Sequence, residues 1–419
     1  MMKPSQRAAN TVLAGQQNNP TGALSGLRVL DLTDHKAHLC ARLLADMGAD
    51  VIKVEPPGGD EGRRVGPFVG DLPHPDRSLF FWFYNFNKRS LTLSLEHRRG
   101  RELFEQLVRG CDVVVESHRP GWMSAMGLGW ERLHDLNPAL VLCSIAPFGQ
   151  TGPRRGFEAD DTVLTALSGM LFVNGFPAER PLRPLGLQAY HSASYYGAVA
   201  VMMALIARER DGGVGQRIDL SMQEATVASL EQVAAVYFAE RRIQRRAGSL
   251  HWTRFFRVGR CRDGYVMHSA MGDWTSLIEW VKADGKARDL DHPEWNDYAY
   301  RREHAEHIFD VLDDWIKDYP RDELVARAQA LRLSYASVRG PEELFADEQL
   351  KARGYFVEVE HPELGRSFLY PGPPYRFERS AWRIYRRPPL LGEHTGEILR
   401  DDAGVSTGEL AALAAEGVI

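Results

Sequence analysis

Short apolar segments alternate with amphipathic segments of helical period along the first half of the chain, and this alternation constrains the fold more than any other feature. Residues 27–32 have the composition of a buried strand, residues 37–47 place apolar side chains on one helical face, and residues 50–54 form a second apolar run. The pattern recurs over residues 98–115 and 130–145. Strands separated by helices pack into a parallel sheet with helices on both faces. The sequence therefore predicts an α/β fold.

The chain has 419 residues, which is long for a single hydrophobic core, so we expect two domains. Residues 1–24 are rich in Gln, Asn and Ala and have no apolar segment like that of a signal peptide, which predicts a flexible tail. Residues 25–225 carry the alternating pattern of a larger domain. Residues 245–335, rich in Trp, His and charge, predict a smaller domain. Residues 340–419 lack the strands for a sheet of their own, so we expect them to return to the larger domain.

Composition excludes several classes of protein. Apolar residues make up 44% of the chain, charged residues 26%, and the net charge is −5, which predicts a globular protein without a nucleic-acid partner. No apolar run reaches the ~20 residues that span a bilayer, so we expect no membrane association; the longest, residues 197–207, predicts a buried helix. The cysteines have no metal-ligand spacing, which predicts no metal site and free thiols in a reducing cytoplasm. They are Cys40, Cys111, Cys143 and Cys261.

Six segments are similar, in order and spacing, to segments of the family III coenzyme A transferases, the CaiB/BaiF group. They are residues 44–60, 87–90, 115–121, 148–153, 213–216 and 391–395. Each segment alone is a weak signal, but six in the same order, within about residues 25–400, identify the chain as a member of this family.

The resemblance implies a fold and a reaction. Family members have a large Rossmann-like domain built from both parts of the chain, a small α/β domain inserted between them, and two subunits that interlock as rings. Their reaction moves coenzyme A from an acyl-CoA to a free carboxylic acid. An enzyme aspartate attacks the thioester carbonyl, which is covalent catalysis by a carboxylate and needs no metal or redox cofactor. The resemblance thus implies coenzyme A and acyl-CoA as substrates rather than bound cofactors.

The nucleophilic aspartate of the family is missing from this chain. In relatives it follows a Leu-Gly dipeptide and precedes a long helix that ends in Ala-Leu-x-x-Arg, which here is residues 204–208. Counting back places the nucleophile at Tyr190, or at Ala189 if the gap shifts by one, and neither is a carboxylate. Within residues 162–208 the only acidic residue is Glu179, too far away to take this place without a large shift in register.

Two residues near this position have open roles. Asp161 matches a second family carboxylate, which assists the nucleophile in transferases, while Asp160 stands where the racemases of the family have an acid/base histidine. Both aspartates precede an apolar helix, so capping of that helix is the alternative to a role in chemistry. His191 follows the vacant position, and it is either an acid/base group or an ordinary packed or surface histidine.

The resemblance also implies contacts with coenzyme A. Lys88 and Arg89 fall in the Asn-Lys-Arg segment that contacts phosphate in relatives, the alternative being a solvated surface pair. The other candidates follow two predicted strands and depart from the family's usual residues: His35, Lys36, Ser117 and His118. Ala125 stands where relatives usually have an arginine. Together with the missing nucleophile, these departures predict a coenzyme A site that is eroded or repurposed.

A group of aromatic residues in the predicted smaller domain admits two interpretations. Such residues either line a pocket for an acyl group or fill the core of the domain, and the core is the commoner case. They are Trp252, Phe255, Phe256, Trp274 and Trp280. We therefore predict that this group is core.

Three functions remain open at this point. The favoured one is a subunit of a heteromeric coenzyme A transferase, resembling the two-subunit succinyl-CoA:benzylsuccinate type, whose paralogous partner supplies the aspartate. The second is a self-sufficient homomer that isomerises, racemises or cleaves an acyl-CoA with Asp161 or His191. The third is a non-catalytic relative that binds acyl-CoA or only a protein partner.

Overall fold

The computed structural model of the chain describes residues 11–12, 22–251 and 253–419. Most of the predicted tail, residues 1–10 and 13–21, lies outside the described residues, as does Trp252. Within the tail, Thr11–Val12 pair in parallel with residues 358–359, and Leu24 is buried and donates its N–H to a carbonyl at 2.9 Å.

A six-stranded sheet organises the structure, and every neighbouring pair of its strands is parallel. Its order is β3-β2-β1-β4-β5-β6, which is the doubly wound order of Rossmann-like folds. The strands are β1 (Arg28–Leu32), β2 (Asp50–Glu55), β3 (Arg89–Thr92), β4 (Val113–Glu116), β5 (Val141–Ala146) and β6 (Arg217–Ser221). The predicted α/β fold with a parallel sheet is confirmed.

The remaining strands form smaller sheets. Strands β7 (Phe256–Cys261), β8 (Gly264–Ser269) and β9 (Ala336–Ser337) pair antiparallel in the order β9-β8-β7. Strands β10 (Phe356–His361) and β11 (Arg366–Pro371) form an antiparallel hairpin. Thr11–Val12 pairs in parallel with the free edge of β10.

Helices connect the strands in the pattern that the apolar spacing predicts. Those that precede β7 are α1 (His38–Asp46), α2 (Leu79–Asn85), α3 (Arg98–Val108), α4 (Trp122–Ala125), α5 (Trp130–Leu136), α6 (Asp161–Leu167), α7 (Met170–Val173), α8 (Gln188–Arg210), α9 (Met222–Ala228) and α10 (Val233–Glu240). Those that follow β8 are α11 (Trp274–Ala283), α12 (Tyr298–Glu303), α13 (Ala305–Ile316), α14 (Arg321–Ala330), α15 (Pro341–Leu344), α16 (Glu348–Ala352), α17 (Thr395–Ala403) and α18 (Thr407–Ala415).

The chain divides into two compact units. The larger comprises the described residues up to Met170 together with Leu185–Glu231 and Glu348–Ile419. The smaller comprises Leu171–Pro184 and Gln232–Asp347. Segments on both sides of the smaller unit in sequence thus belong to the larger one.

The large sheet buries both of its faces. Successive residues of a strand point to opposite sides, so Val29 joins one core with α1 and α8, while Leu30 joins the other with α3 and α17. Burial on both faces explains why these strands read as continuous apolar runs in the sequence rather than as alternating ones.

A C-terminal segment covers the edge of the large sheet at β3. The Asn87 side chain donates to the carbonyl of Arg383 at 2.8 Å, and its oxygen accepts the N–H of Tyr385 at 2.8 Å. Further along, Ser90 Oγ accepts the N–H of Gly392 at 2.9 Å. These bonds satisfy backbone and side-chain groups that an edge strand would otherwise leave open to another chain.

The smaller unit has a core of its own, in which strands β7 and β8 pack against α11, α13 and α14. Three of the aromatic residues singled out in the sequence, Phe255, Trp274 and Trp280, are buried in this core, and Phe256 packs against it. The prediction that they are core residues is confirmed for these four.

Helix α8 departs from the prediction of a buried helix. One side packs in the core, but Val199 is 53% exposed, Met203 66% and Ile206 60%. These three side chains line an open apolar cavity of about 720 Å³ within the larger unit, together with residues of α1 and of the segment after β11. The prediction is therefore wrong for this side of the helix, because apolar composition does not reveal what covers a surface.

Gly100 in the first turn of α3 tests how tightly this framework is packed. A Cβ at this position would come within 1.9 Å of the carbonyl oxygen of Ser94. We expect Gly100→Ala to lower the free energy of unfolding by about 1–3 kcal/mol, because the backbone has to move to admit a methyl group. Urea denaturation followed by circular dichroism measures this change.

Gly408 in α18 provides the matched control, since a Cβ there meets nothing within 4 Å. Alanine is favoured over glycine in a helix by ~1 kcal/mol, so Gly408→Ala should leave stability unchanged or raise it. Equal losses in the two variants would contradict the packing argument.

Candidate functional site

The order of the large sheet reverses between β1 and β4, and their carboxyl ends form the edge at which doubly wound folds bind ligands. The segments that follow these two strands meet there. The N–H of Asp34 donates to Ser117 Oγ at 2.8 Å, and that hydroxyl donates to Asp34 Oδ1 at 2.9 Å. The structure thus brings the segments that carry His35, Lys36 and His118 together at the position of the ligand crevice in doubly wound folds, although the sequence separates them by about eighty residues.

The charge of Lys36 is balanced inside the crevice, because its ammonium forms an ion pair with Asp34. Asp34 also accepts the backbone N–H of Lys36 at 3.0 Å, and these contacts with Lys36 lower the pKa of the Asp34 carboxyl against the opposing effect of its burial. His35, which is half-buried, lies edge-on to Tyr190 with 6.1 Å between ring centroids. The crevice therefore adjoins the vacant nucleophile position.

A flat aromatic surface lies beside these residues. The rings of His118 and Trp122 stack with 3.9 Å between centroids and an interplanar angle of 27°. Burial lowers the pKa of His118 to about 4, so its imidazole is neutral at pH 7. Such a stack can receive a planar base or an amide face without a charge. Sequence reasoning missed Trp122, although it follows directly on the family segment 115–121 and this adjacency was a usable signal.

Glu116 at the end of β4 is a buried carboxyl without an ion-pair partner among the residues that the structure describes. It accepts the backbone N–H of His118 at 2.8 Å and a hydrogen bond from Ser144. Burial raises the pKa of Glu116 to about 7, although the hydrogen bonds from Ser144 and His118 and the charge of Arg217 act in the opposite direction.

Lys88 lies below the crevice and has no exposed surface. Its ammonium donates to Asp31 Oδ2 at 2.7 Å, to Asn85 Oδ1 at 2.8 Å and to the carbonyl of His38 at 2.9 Å. All three hydrogens are used within the protein, so the interpretation as a solvated surface residue is wrong. Contact with a phosphate, as the sequence predicts, would require these bonds to break.

Arg89 lies at the other edge of the sheet. It is the first residue of β3, and its guanidinium binds both carboxylate oxygens of Asp50, the first residue of β2, at 2.9 and 2.6 Å. A third bond, of 3.0 Å, reaches Glu397. Because the amino ends of parallel strands lie opposite their carboxyl ends, the structure does not bring Arg89 together with His35 and Lys36.

The two residues at which the resemblance would place the nucleophile lie in the first turn of α8 and face the core. Ala189 has no exposed surface and Tyr190 is 4% exposed. Burial raises the pKa of the Tyr190 phenol, and nearby carboxylates raise it further. Neither side chain offers a nucleophile to a ligand in the crevice.

The two aspartates of this region cap different helices. Asp160 accepts the N–H of Val163 at 2.9 Å and so caps α6. Asp161 begins α6 but turns its carboxylate to α8, where it accepts the N–H groups of Ala189 at 2.9 Å and Tyr190 at 3.4 Å. A negative charge at the start of a 23-residue helix is favourable for the helix dipole. The capping that the sequence predicts is present, but for Asp161 it serves the other helix.

His191 faces the apolar cavity rather than lying alone. Its Nε2 is 2.6 Å from the hydroxyl of Tyr84, and the residue is half-buried at one end of the cavity lining. Burial lowers the pKa of His191, while Asp161 acts in the opposite direction. Burial also raises the pKa of the Tyr84 phenol to about 12. The pair is a neutral hydrogen-bonded contact at pH 7.

No group of three His, Cys, Asp or Glu side chains is arranged to hold a metal ion in the part of the chain that the structure describes. No helix within residues 22–251 and 253–419 is long and apolar enough to cross a bilayer. The four cysteines are free and buried.

The sequence matches the family model of CoA-transferase family III over residues 24–395. The chain therefore belongs to the family III CoA-transferases. The fold agrees, since a CaiB/BaiF family protein from Brucella suis superimposes with a TM-score of 0.81 at 29% identity, covering 91% of this chain and 100% of that one.

Curated relatives are similar over almost their full length. Subunit BbsE of succinyl-CoA:(R)-benzylsuccinate CoA-transferase from Thauera aromatica is 36% identical over 384 residues, which cover 90% of this chain and 93% of the relative. The beta subunit of succinyl-CoA–L-malate CoA-transferase from Chloroflexus aurantiacus is 30% identical, covering 94% and 98%. Human succinyl-CoA:glutarate CoA-transferase is also 30% identical, covering 94% and 90%.

The raised pKa of Glu116 predicts a specific dependence of stability on pH. The unfolded carboxyl ionises near pH 4.5, but the folded one keeps its proton until about pH 7. Within this window the folded protein holds a proton that the unfolded chain releases, so the stability from this group falls as pH rises. We expect Glu116→Gln to gain stability relative to the wild type between pH 5 and 8, by on the order of 1–3 kcal/mol.

Urea denaturation at several pH values measures that difference. Glu131→Gln is the control, because Glu131 is an exposed glutamate in α5 and its substitution removes the same carboxyl group from the unfolded chain. A stability difference for Glu116→Gln that stays constant with pH, like that of the control, would contradict a raised pKa for Glu116.

Capping by Asp161 predicts the effect of its removal. Asp161→Ala leaves two buried N–H groups of α8 without this acceptor, so we expect the free energy of unfolding to fall by about 1–3 kcal/mol. Asp161→Asn keeps an oxygen at the cap and should lose clearly less. Thermal denaturation of both variants decides the point, and equal losses would show that the charge rather than the cap matters.

Proposed function

We propose that this chain is one subunit of a heteromeric coenzyme A transferase, and that a paralogous subunit supplies the nucleophilic aspartate. The observation that carries the proposal is the first turn of α8, where Ala189 and Tyr190 pack into the core in place of an exposed carboxylate. The rest of the fold is kept: the doubly wound sheet, the crevice at the reversal of strand order, and a carboxylate at the head of α8.

The chemistry explains why this position matters. A carboxylate that attacks a thioester forms a mixed anhydride and releases the thiolate, and the anhydride is reactive enough to pass its acyl group on. The methyl group of Ala189 offers no electron pair. A buried phenol such as Tyr190 is protonated at pH 7, and its ester would not return the acyl group readily. The reaction of the family therefore requires a carboxylate from elsewhere.

Relatives support the heteromeric form. Two of them are by name single subunits of transferases that use succinyl-CoA, and one of these names an aromatic dicarboxylic acid as the second substrate. We propose succinyl-CoA as the donor and a free carboxylic acid of the benzylsuccinate type as the acceptor. In this proposal the chain contributes half of the scaffold and a crevice that holds coenzyme A.

The proposed coenzyme A crevice consists of the segments after β1 and β4. His35, Lys36 and Ser117 would meet the polar part of the ligand, and the stack of His118 on Trp122 would receive its planar part. Lys36 is paired with Asp34, so this side of the crevice offers a phosphate little net charge. The neutralisation of Lys36 by Asp34 supports a role for this site in binding rather than in the reaction itself.

Co-expression with a paralogous subunit tests the proposal. The partner is a family member that carries an aspartate after Leu-Gly, and native mass spectrometry reports whether the two chains form a complex of fixed ratio. We expect transfer from succinyl-CoA to (R)-benzylsuccinate by the complex and none by this chain alone. Asp→Asn at the partner's nucleophile should abolish transfer, because no carboxylate then replaces it.

Tyr190→Phe in this chain is the matched control within the complex. It removes only the buried hydroxyl, so transfer should remain unchanged. Transfer by the isolated chain at the rate of the complex would overturn the proposal. A homomer that exchanges the proton α to the thioester in deuterated water would instead support the isomerase or racemase hypothesis.

A further inference from the structure

The segment 33–37 forms one wall of the crevice, and two buried ammonium groups hold it from below. Lys53 is 1% exposed and donates to the carbonyl of Thr33 at 2.5 Å. Lys88 donates to the carbonyl of His38 at 2.9 Å. The carbonyl of Thr33 lies at the start of the segment, and His38 directly follows its last residue. Charged donors form stronger hydrogen bonds than neutral ones, above all in a low-dielectric interior.

Asp31 connects these anchors to each other. One of its oxygens, Oδ2, accepts from Lys88 at 2.7 Å. The other accepts the N–H of Thr33 at 2.9 Å and the Thr33 hydroxyl at 2.6 Å. Asp31 is fully buried, so its charge requires Lys88 nearby, and the carboxylate transmits the position of Lys88 to the start of the segment.

The other end of the segment is fixed through His38. Its Nε2 lies 3.2 Å from Asp60 Oδ1, and its Nδ1 accepts from Asn85 at 3.2 Å. Asp60 also pairs with Lys53 at 3.4 Å, so the two ends share a single network. The residues between them then donate their N–H groups to Asp34 and Ser117 in the crevice itself.

We propose that Lys53 and Lys88 are positioning residues of the crevice: they fix the segment 33–37, and with it His35 and Lys36, without touching the ligand. Lys88 has no free hydrogen for a phosphate, since its three bonds all go to protein groups. The identity of the ligand rests on the proposed function, whereas the anchoring of the segment does not.

Two measurements on Lys88→Met and Lys53→Met test this proposal. Hydrogen exchange of the backbone amides of residues 33–38, followed by mass spectrometry in the unliganded chain, reports on the segment directly. Calorimetric titration with coenzyme A reports on binding. We expect exchange and the dissociation constant each to rise by about tenfold or more. In the assembled transferase, KM for the acyl-CoA should rise while kcat stays, because the reacting carboxylate is in the partner.

Arg89→Met provides the control, since Arg89 is the next residue, is also a largely buried cation, and pairs only with Asp50 and Glu397 among the residues described. It should leave exchange of residues 33–38 at the wild-type value. A general loss of stability would affect all three variants alike.

The outcomes separate the possibilities. Weaker binding of coenzyme A to Lys88→Met with unchanged exchange would show that Lys88 meets the phosphate directly and would overturn the proposal. Unchanged binding would overturn it as well. If the wild-type chain does not bind coenzyme A, alone or with its partner, the proposed function fails, and exchange still decides whether the lysines hold the segment.

Thr33→Val is a second variant for the same two measurements if Lys88→Met does not fold. This change removes one hydroxyl bond to Asp31 and leaves both lysines in place. A smaller rise in exchange and in the dissociation constant is then expected, and wild-type values for both would count against the network.

Discussion

Pairing of buried charges at the carboxyl edge of the parallel sheet is the constraint on which the rest of the larger unit depends. Three cations and three carboxylates lie there almost without solvent: Lys88 with Asp31, Lys53 with Asp60, and Arg63 with Glu55. An unpaired charge in such a place costs several kcal/mol, so each partner is tolerable only where the other is held. The loop after β2 supplies Asp60 and Arg63, and the residue before β3 is Lys88, so the course of these segments is fixed by electrostatics as much as by packing.

The same principle shapes the head of α8. A long helix that begins inside a protein needs acceptors for its first N–H groups, and Asp161 meets this need from the start of a different helix. The first turn of α8 faces the core in this chain, and Asp161 caps it. These interactions hold the scaffold without any contribution to catalysis, which agrees with the proposed role of the chain as one subunit of a transferase.

Local signals in the sequence predicted most of the large sheet, and the failures are non-local. Strands β1, β2, β4 and β5 were evident because both of their faces are buried and they read as apolar runs. The apolar run predicted a helix only over residues 197–207, yet α8 begins at Gln188, because Asp161, which caps its first turn, lies 28 residues before Ala189 in the sequence. The four-residue strand β3 was not recognised, since Leu91 is its only apolar residue.

The candidate site shows the same division. The crevice at His35 and Ser117 followed from the ends of two strands, which a sequence pattern can locate. Lys88 was assigned to a phosphate because its neighbours match a family segment, whereas its partner Asp31 lies 57 residues away and no local pattern reveals it. The exposed side of α8 is a further case, because the apolar residues of a helix do not show whether another segment packs against them.

The closure of the β3 edge by the C-terminal segment has a consequence for biosynthesis. The ribosome synthesises β3 roughly three hundred residues before the C-terminal residues that bond to it and to its flanking residues. These bonds join Tyr385 to Asn87, Gly392 to Ser90, and Val418 to Ser94. During that interval the nascent strand keeps an open flank, and contacts of such long sequence separation form slowly. The emerging polypeptide should therefore depend on chaperones that shield unpaired strands until translation of the last helices is complete.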